Sequence, residues 1–133
     1  LITTTQILAA VHARFIGDAT ITGLVPAGSI GAYVLDESAY PYIQYELDFE
    51  SMQVKGEDAQ EVTLIVNIWT NYRGPKECME IADAVRAEFD GAPVTIASGN
   101  GFGCSYESMD HFQEPEGTSY RCTVLFSMLY GDV

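Results

Sequence analysis

Strict alternation of apolar and polar residues, interrupted by a polar stretch and then resumed, constrains this chain more than any other feature. After Pro41, residues Ile43, Tyr45, Leu47 and Phe49 occupy every second position, with Gln44, Glu46, Asp48 and Glu50 between them. A β-strand sends successive side chains to opposite faces, so this run predicts a strand with one buried and one solvated face. From Glu61 to Tyr72 the pattern returns, with Val62, Leu64, Val66 and Ile68 alternating against Thr63, Asn67 and Thr70. Together the two runs predict an antiparallel hairpin. The intervening Ser51–Gln60, with Lys55, Gly56, Glu57 and Asp58, has no apolar periodicity and reads as a long exposed hairpin arm or loop. A last alternating run sets Tyr120, Cys122, Val124, Phe126, Met128 and Tyr130 against Arg121, Thr123 and Ser127.

Helical spacing occurs twice. Between Thr4 and Phe15, the residues Ile7, Leu8, Val11 and Phe15 form an apolar stripe, with Thr3 to Thr5 available as N-cap and Gly17 as a stop. The second stripe, Cys78, Ile81, Ala82, Val85 and Phe89, follows Gly74 and Pro75 and carries Glu77, Glu80, Asp83 and Glu88 mainly off its face. Gly91 and Pro93 end that helix. Gly23, Pro26, Gly28 and Gly31 break the text from Asp18 to Ser38 into loops with room for one short strand. Val94–Ala97 is a short strand candidate, Gly99, Gly101 and Gly103 a flexible turn, Cys104–Phe112 a strand, and Glu114–Thr118 a polar turn. The expected fold is α+β: an antiparallel or mixed sheet of about five strands with two main helices packed on it. No repeat, linker or low-complexity tract divides residues 1–133, so a single domain is expected.

Nearly half of the 133 residues are apolar, enough for a core without crosslinks. Six basic residues against nineteen acidic ones give a formal charge of −13, which opposes binding to a phosphate backbone. The same acidity suits a non-adhesive surface along which DNA passes, and equally a domain kept soluble by its charge. Cys78, Cys104 and Cys122 are odd in number and contain no C-x-x-C pair, so reduced, packed thiols are expected rather than a disulfide framework or zinc knuckle. No apolar run approaches the roughly 20 residues of a membrane span, and no signal-peptide pattern opens the chain. Synthesis and retention in a cytoplasm are expected.

The search for chemistry returns little. In Gly99, Gly101, Gly103 the third glycine is one position too early for a dinucleotide fingerprint, and a strand follows where a helix N-terminus would be needed. Ser105, Ser108, Asp110 and His111 supply hydrolytic residue types, but no Ser sits in a G-x-S-x-G elbow and alternation sends Asp110 and His111 to opposite faces. The acidic row Glu46, Asp48, Glu50 places three carboxylates on one strand face, where hard cations bind, yet a ligand set normally draws on several segments and such a row is usually solvated. His12, near Arg14 on the first helix, reads as a surface residue. No catalytic residue, metal or cofactor is expected. Tyr40, Tyr42, Trp69 and Tyr72 cluster at the ends of the central hairpin, where aromatics either join the core or anchor an interface.

The order of segments carries a resemblance. An N-terminal helix is followed by Tyr40-Pro41-Tyr42-Ile43, then Val66-Asn67-Ile68-Trp69-Thr70, then Gly74, then the helical Glu80-Ile81-Ala82-Asp83-Ala84-Val85. In these segments the chain resembles the tail terminator, or tail completion, proteins of long-tailed bacteriophages and gene transfer agents. The resemblance implies a mixed sheet with helices on it and six copies closed into a ring. It further implies a neck position in the virion, at the head-proximal end of the tail tube. Such a ring stops tube polymerisation and offers the tail to the head connector, and DNA passes through its hole. A heterologous contact with the right rotation closes a ring, so the implied mechanism is geometric. On this resemblance Glu46, Asp48, Glu50, Lys55, Glu57 and Asp58 become candidates for lumen or tube contact, and Tyr42, Trp69 and Tyr72 for the ring interface. The implied partners are further copies of the chain, the tail tube protein and a connector or stopper protein. Three other readings stay open: a head-tail connector or stopper, a tube-forming tail protein, and a metal-dependent hydrolase built on the acidic row.

Overall fold

A computed structural model describes residues 4–32, 40–54, 57–71, 75–91, 100–113 and 119–131. Their elements are helix α1 (Thr4–Gly17), helix α2 (Ala19–Leu24), a 3-10 turn (Ala27–Ser29), strands β1 (Ile30–Gly31), β2 (Tyr42–Val54) and β3 (Glu57–Thr70), helix α3 (Lys76–Phe89), and strands β4 (Asn100–Gln113) and β5 (Tyr120–Gly131). The strands form one mixed sheet in the order β1-β2-β3-β5-β4, with β1 parallel to β2 and every other pairing antiparallel. The α+β expectation is met.

All three helices pack on one face of this sheet. Ile43 and Tyr45 of β2, Val62, Leu64, Val66 and Ile68 of β3, and Cys122, Val124, Phe126 and Met128 of β5 turn inward to meet Ile7, Val11 and Phe15 of α1 and Cys78, Ile81, Ala82, Val85 and Phe89 of α3. Each large side chain fully buried in this way contributes about 1.5–3 kcal/mol of transfer free energy. Aromatic contacts run through the centre: Phe15 stacks on Tyr45 at 5.1 Å and meets Phe89 at 4.7 Å, and Phe89 meets Phe126 at 5.7 Å. Arg14 ties α1 to α3, its Nε donating to Glu88 Oε1 at 2.6 Å and a terminal nitrogen to the Glu88 carbonyl at 3.0 Å.

Several expectations are corrected. Asp18 starts a second helix instead of a loop, because its carboxylate caps the N–H of Thr20 at 3.1 Å and Ile21 can then turn into the core. Leu8 is exposed, whereas Ile7, Val11 and Phe15 carry the buried stripe. It borders an open groove of about 420 Å³ with Thr4, Thr5, Ala32, Leu47 and Phe49, where the helical layer stops short of the β2 edge. Of the two forms expected for the polar stretch, arm or loop, the structure has the arm: Ser51–Val54 and Glu57–Gln60 are laddered strand in the register Ser51↔Gln60, Met52↔Ala59, Gln53↔Asp58 and Val54↔Glu57. Backbone pairing there needs no apolar face. Among the described residues the β3–β5 pairing begins at Ala59↔Gly131, and Glu57 and Asp58 pair with β2 alone.

Gly101 and Gly103 belong to β4 rather than to a free turn. One extra residue lies between the pairs Gly101↔Tyr130 and Cys104↔Met128, and Gly103 absorbs it with φ 137°, a backbone that side chains disfavour. The strand expected at Val94–Ala97 lies outside the described residues, as do Gly99, Lys55, Tyr72 and Gly74.

Candidate functional site

With the helices on one side, the other face of β2, β3, β5 and β4 has no covering layer among the described residues. Its composition follows from register. Read across the strands, one row is Tyr42, Trp69, Arg121, Phe112; the next is Gln44, Asn67, Thr123, Asp110; then Glu46, Ile65, Leu125, Ser108; then Asp48, Thr63, Ser127, Ser105; and last Glu50, Glu61, Leu129.

The first row is a cross-strand stack. Tyr40 meets Tyr42 at 5.4 Å, and Tyr42 stacks on Trp69 at 5.9 Å with an 18° interplanar angle. The Arg121 guanidinium lies 4.8 Å from the Trp69 ring centre and 4.1 Å from that of Phe112. Tyr40 and Phe112 are exposed at the two ends while Tyr42, Trp69 and Arg121 are half-buried. The Trp69 indole N–H is buried and has no hydrogen-bond partner among the described residues. Flat rings and a guanidinium held by neighbours offer large contact area at low entropic cost, the chemistry favoured at protein interfaces.

Beneath it runs a polar chain. Asn67 Nδ2 donates to Gln44 Oε1 at 3.0 Å, and Thr123 Oγ1 donates to Asn67 Oδ1 at 2.8 Å. Asn67 is only 8% exposed, so satisfying its amide from both neighbouring strands fixes the register of β2, β3 and β5.

At the far end the face becomes acidic. Glu46, Asp48 and Glu50 are exposed, and Glu50 stands directly opposite Glu61, a like-charge pair that disfavours this edge in isolation. Ser127 Oγ donates to Glu61 Oε1 at 3.4 Å. Alternate Cα positions on a strand lie about 7 Å apart, so a row of carboxylates does not by itself converge on a cation. Among the described residues no group of three or more His, Cys, Asp and Glu is placed to hold a metal ion.

The remaining sequence candidates are scattered. Ser105, Ser108 and Asp110 lie on the uncovered face and His111, opposite Cys122, on the other, so they form no triad. His12 corrects the surface expectation: it is half-buried, with Nδ1 2.8 Å from the hydroxyl of Tyr45. Burial pushes the Tyr45 phenol up to about 12. Glu57 and Asp58 lie in the hairpin arm as β3 residues. Tyr42 and Trp69 are brought together as expected, whereas Arg121 and Phe112 were missed. Their contribution depends on the β3–β5 and β5–β4 registers, which no local pattern reveals. Ile65, Leu125 and Leu129 were visible only as apolar residues out of phase with their strands, the mark of a strand with two apolar faces.

The described residues form a two-layer α+β fold with one sheet face uncovered and partly aromatic. Comparison with known proteins agrees with that fold. Residues 9–131 match the family described as "Tail completion protein gp17", and the chain belongs to that family of structural phage tail proteins. No curated protein matches it in sequence. In fold it is similar to a chain of the solved structure "Virion of native gene transfer agent (GTA) particle", with TM-score 0.85, 17% identity, and 96% of each chain covered. Identity that low speaks to the fold alone.

Proposed function

We propose that the protein is a tail terminator: a hexameric ring that caps the tail tube, stops its polymerisation and joins the tail to the head connector. The family match over residues 9–131 carries this reading, and the uncovered sheet face supports it. A heterologous contact uses two different patches, so each subunit keeps one patch open at the monomer stage, and closure follows when six rotations complete a circle. On this reading the stack containing Tyr42 and Trp69, with Tyr72 nearby in sequence, belongs to the ring contact. The acidic row Glu46, Asp48, Glu50 and the arm residues Lys55, Glu57 and Asp58 face the lumen or the tube. The net charge of −13 then keeps DNA from adhering as it passes through the neck. The function is binding geometry, with no catalytic step and no cofactor.

Mass measurement of the purified protein, alone and with tail tube subunits, tests the proposal. A hexamer that halts tube growth is expected. A chain that stays monomeric with tube subunits and leaves their polymerisation unchanged would overturn it, and filaments of the chain by itself would favour a tube protein.

A further inference from the structure

Cys78 and Cys122 lie near one another under the start of α3, on the opposite side of the sheet from the uncovered face. Cys78 is in the first turn of α3, and its thiol donates to the carbonyl of Ile68 at 3.4 Å. Ile68 is the residue directly opposite Cys122 in the β3–β5 register, on the helix-facing side. Both cysteine side chains are wholly buried, and the Cys78 thiol rests on the strand pair at the position from which the Cys122 side chain rises. Cys104 is no competitor: it stands opposite Met128, six residues along β5 from Cys122, or about 20 Å at strand rise. The three cysteines therefore resolve into one neighbouring pair and one bystander.

We propose that Cys78 and Cys122 are a redox site, closing to an intramolecular disulfide when the folded protein meets hydrogen peroxide, and so fastening α3 to the centre of the sheet. In the first step one thiol sulfur attacks the peroxide oxygen, the O–O bond breaks, and a sulfenic acid and one water result. In the second the other thiol sulfur attacks the sulfenic sulfur, the S–O bond breaks, and a second water leaves as the S–S bond forms. Two electrons pass from the two sulfurs to the peroxide, and both thiol protons end in water. Cys122 is the better starting nucleophile. The neighbouring Cys78 thiol holds Cys122 below its ordinary value, whereas the same proximity and burial push Cys78 well up. Cys78 lies in the first turn of α3, and helix ends open more cheaply than cores, which gives the peroxide a way in. The reaction leaves every residue of the uncovered face in place, so it changes how firmly the helical layer is held and not which surface is presented.

The test is peptide mapping of the folded protein under non-reducing conditions after peroxide treatment. Expected is one linked pair of peptides, containing Cys78 and Cys122, lighter by the two thiol hydrogens, with Cys104 still alkylatable. Dithiothreitol should restore three free thiols, and Cys104→Ser should give the same link. In Cys122→Ser the link must vanish. Recovery of Cys78 and Cys122 as separate thiols or separate sulfinic acids, a link through Cys104, or a link between two chains would each overturn the proposal.

Discussion

Trp69→Ala separates the two roles that the cross-strand stack can play. The substitution removes the stack on Tyr42 at 5.9 Å and the Arg121 contact at 4.8 Å. An aromatic pair contributes about 0.5–1.5 kcal/mol and a partly exposed cation–π contact about 0.5–1 kcal/mol. Adding the half-buried apolar surface of the indole brings the cost to the isolated chain to roughly 2–3 kcal/mol. At about 2.1 cal/mol/K per residue, 133 residues give an unfolding entropy near 0.28 kcal/mol/K, so Tm should fall by roughly 7–11 °C. Calorimetry on monomer measures this part. The docking part is read by light scattering across a dilution series, where an anchor tryptophan costs about 2 kcal/mol or more, roughly 30-fold per contact. Trp69→Phe, which keeps a ring between Tyr42 and Arg121, should recover most of the Tm and less of the association. A Tm change under about 2 °C would refute the stack as a stabilising element. Unchanged association in Trp69→Ala would remove Trp69 from the ring contact.

Three further outcomes are expected. Asn67→Ala leaves Gln44 Oε1 and Thr123 Oγ1 without the amide that bridges them and should cost about 2 kcal/mol in urea denaturation, although no apolar contact is lost. Burial holds the Tyr45 phenol and the Cys104 thiol each up to about 12, above their ordinary values of 10 and 9. The folded state therefore binds more protons: stability is full below about pH 9 and declines as pH rises toward 12, and in Tyr45→Phe a denaturation series should show a shallower decline above pH 10. Double reversal of Glu57 and Asp58 to Lys should leave folding intact and impair joining to tube subunits in a pull-down, and intact joining and ring formation together would take the arm out of the proposed contact.

The helix-facing half of this molecule was legible because its periodicities are local. Alternation at Ile43–Phe49 and Val62–Ile68, and helical spacing from Cys78 to Phe89, each identify a buried side without knowledge of a partner. What escaped depended on pairing or on backbone. The Asp18 cap sat in glycine-broken text, and the choice of arm over loop at Ser51–Gln60 rests on main-chain bonds that leave no apolar trace. The bulge at Gly103 resembled a turn because a glycine at positive φ serves both. The candidate site was half legible for the same reason. Tyr42 and Trp69 stood out as aromatics near strand ends, but Arg121 joins them only through a register set by the polar chain from Gln44 through Asn67 to Thr123.

Two chemistries share the uncovered face, and they make different demands on whatever covers it. Among the described residues, the Tyr40–Phe112 end of the surface is aromatic and carries the Arg121 guanidinium, and the Glu50–Glu61 end is acidic with a like-charge pair in register. A second copy of a chain with charge −13 can supply apolar area to the first end but few cations to the second. In the proposed ring, contacts between copies are therefore best made at the aromatic end, with the acidic end left to solvent or to a basic partner. Salt distinguishes the two, because exposed charges more than about 10 Å apart are largely screened at 0.1 M whereas stacked apolar surface is not. Raising salt from 50 to 500 mM should leave self-association within about twofold, or strengthen it slightly as repulsion between copies is screened, while joining to the tube weakens severalfold. Self-association that collapses over that range would mean that the acidic end, and not the stack, makes the contact between copies.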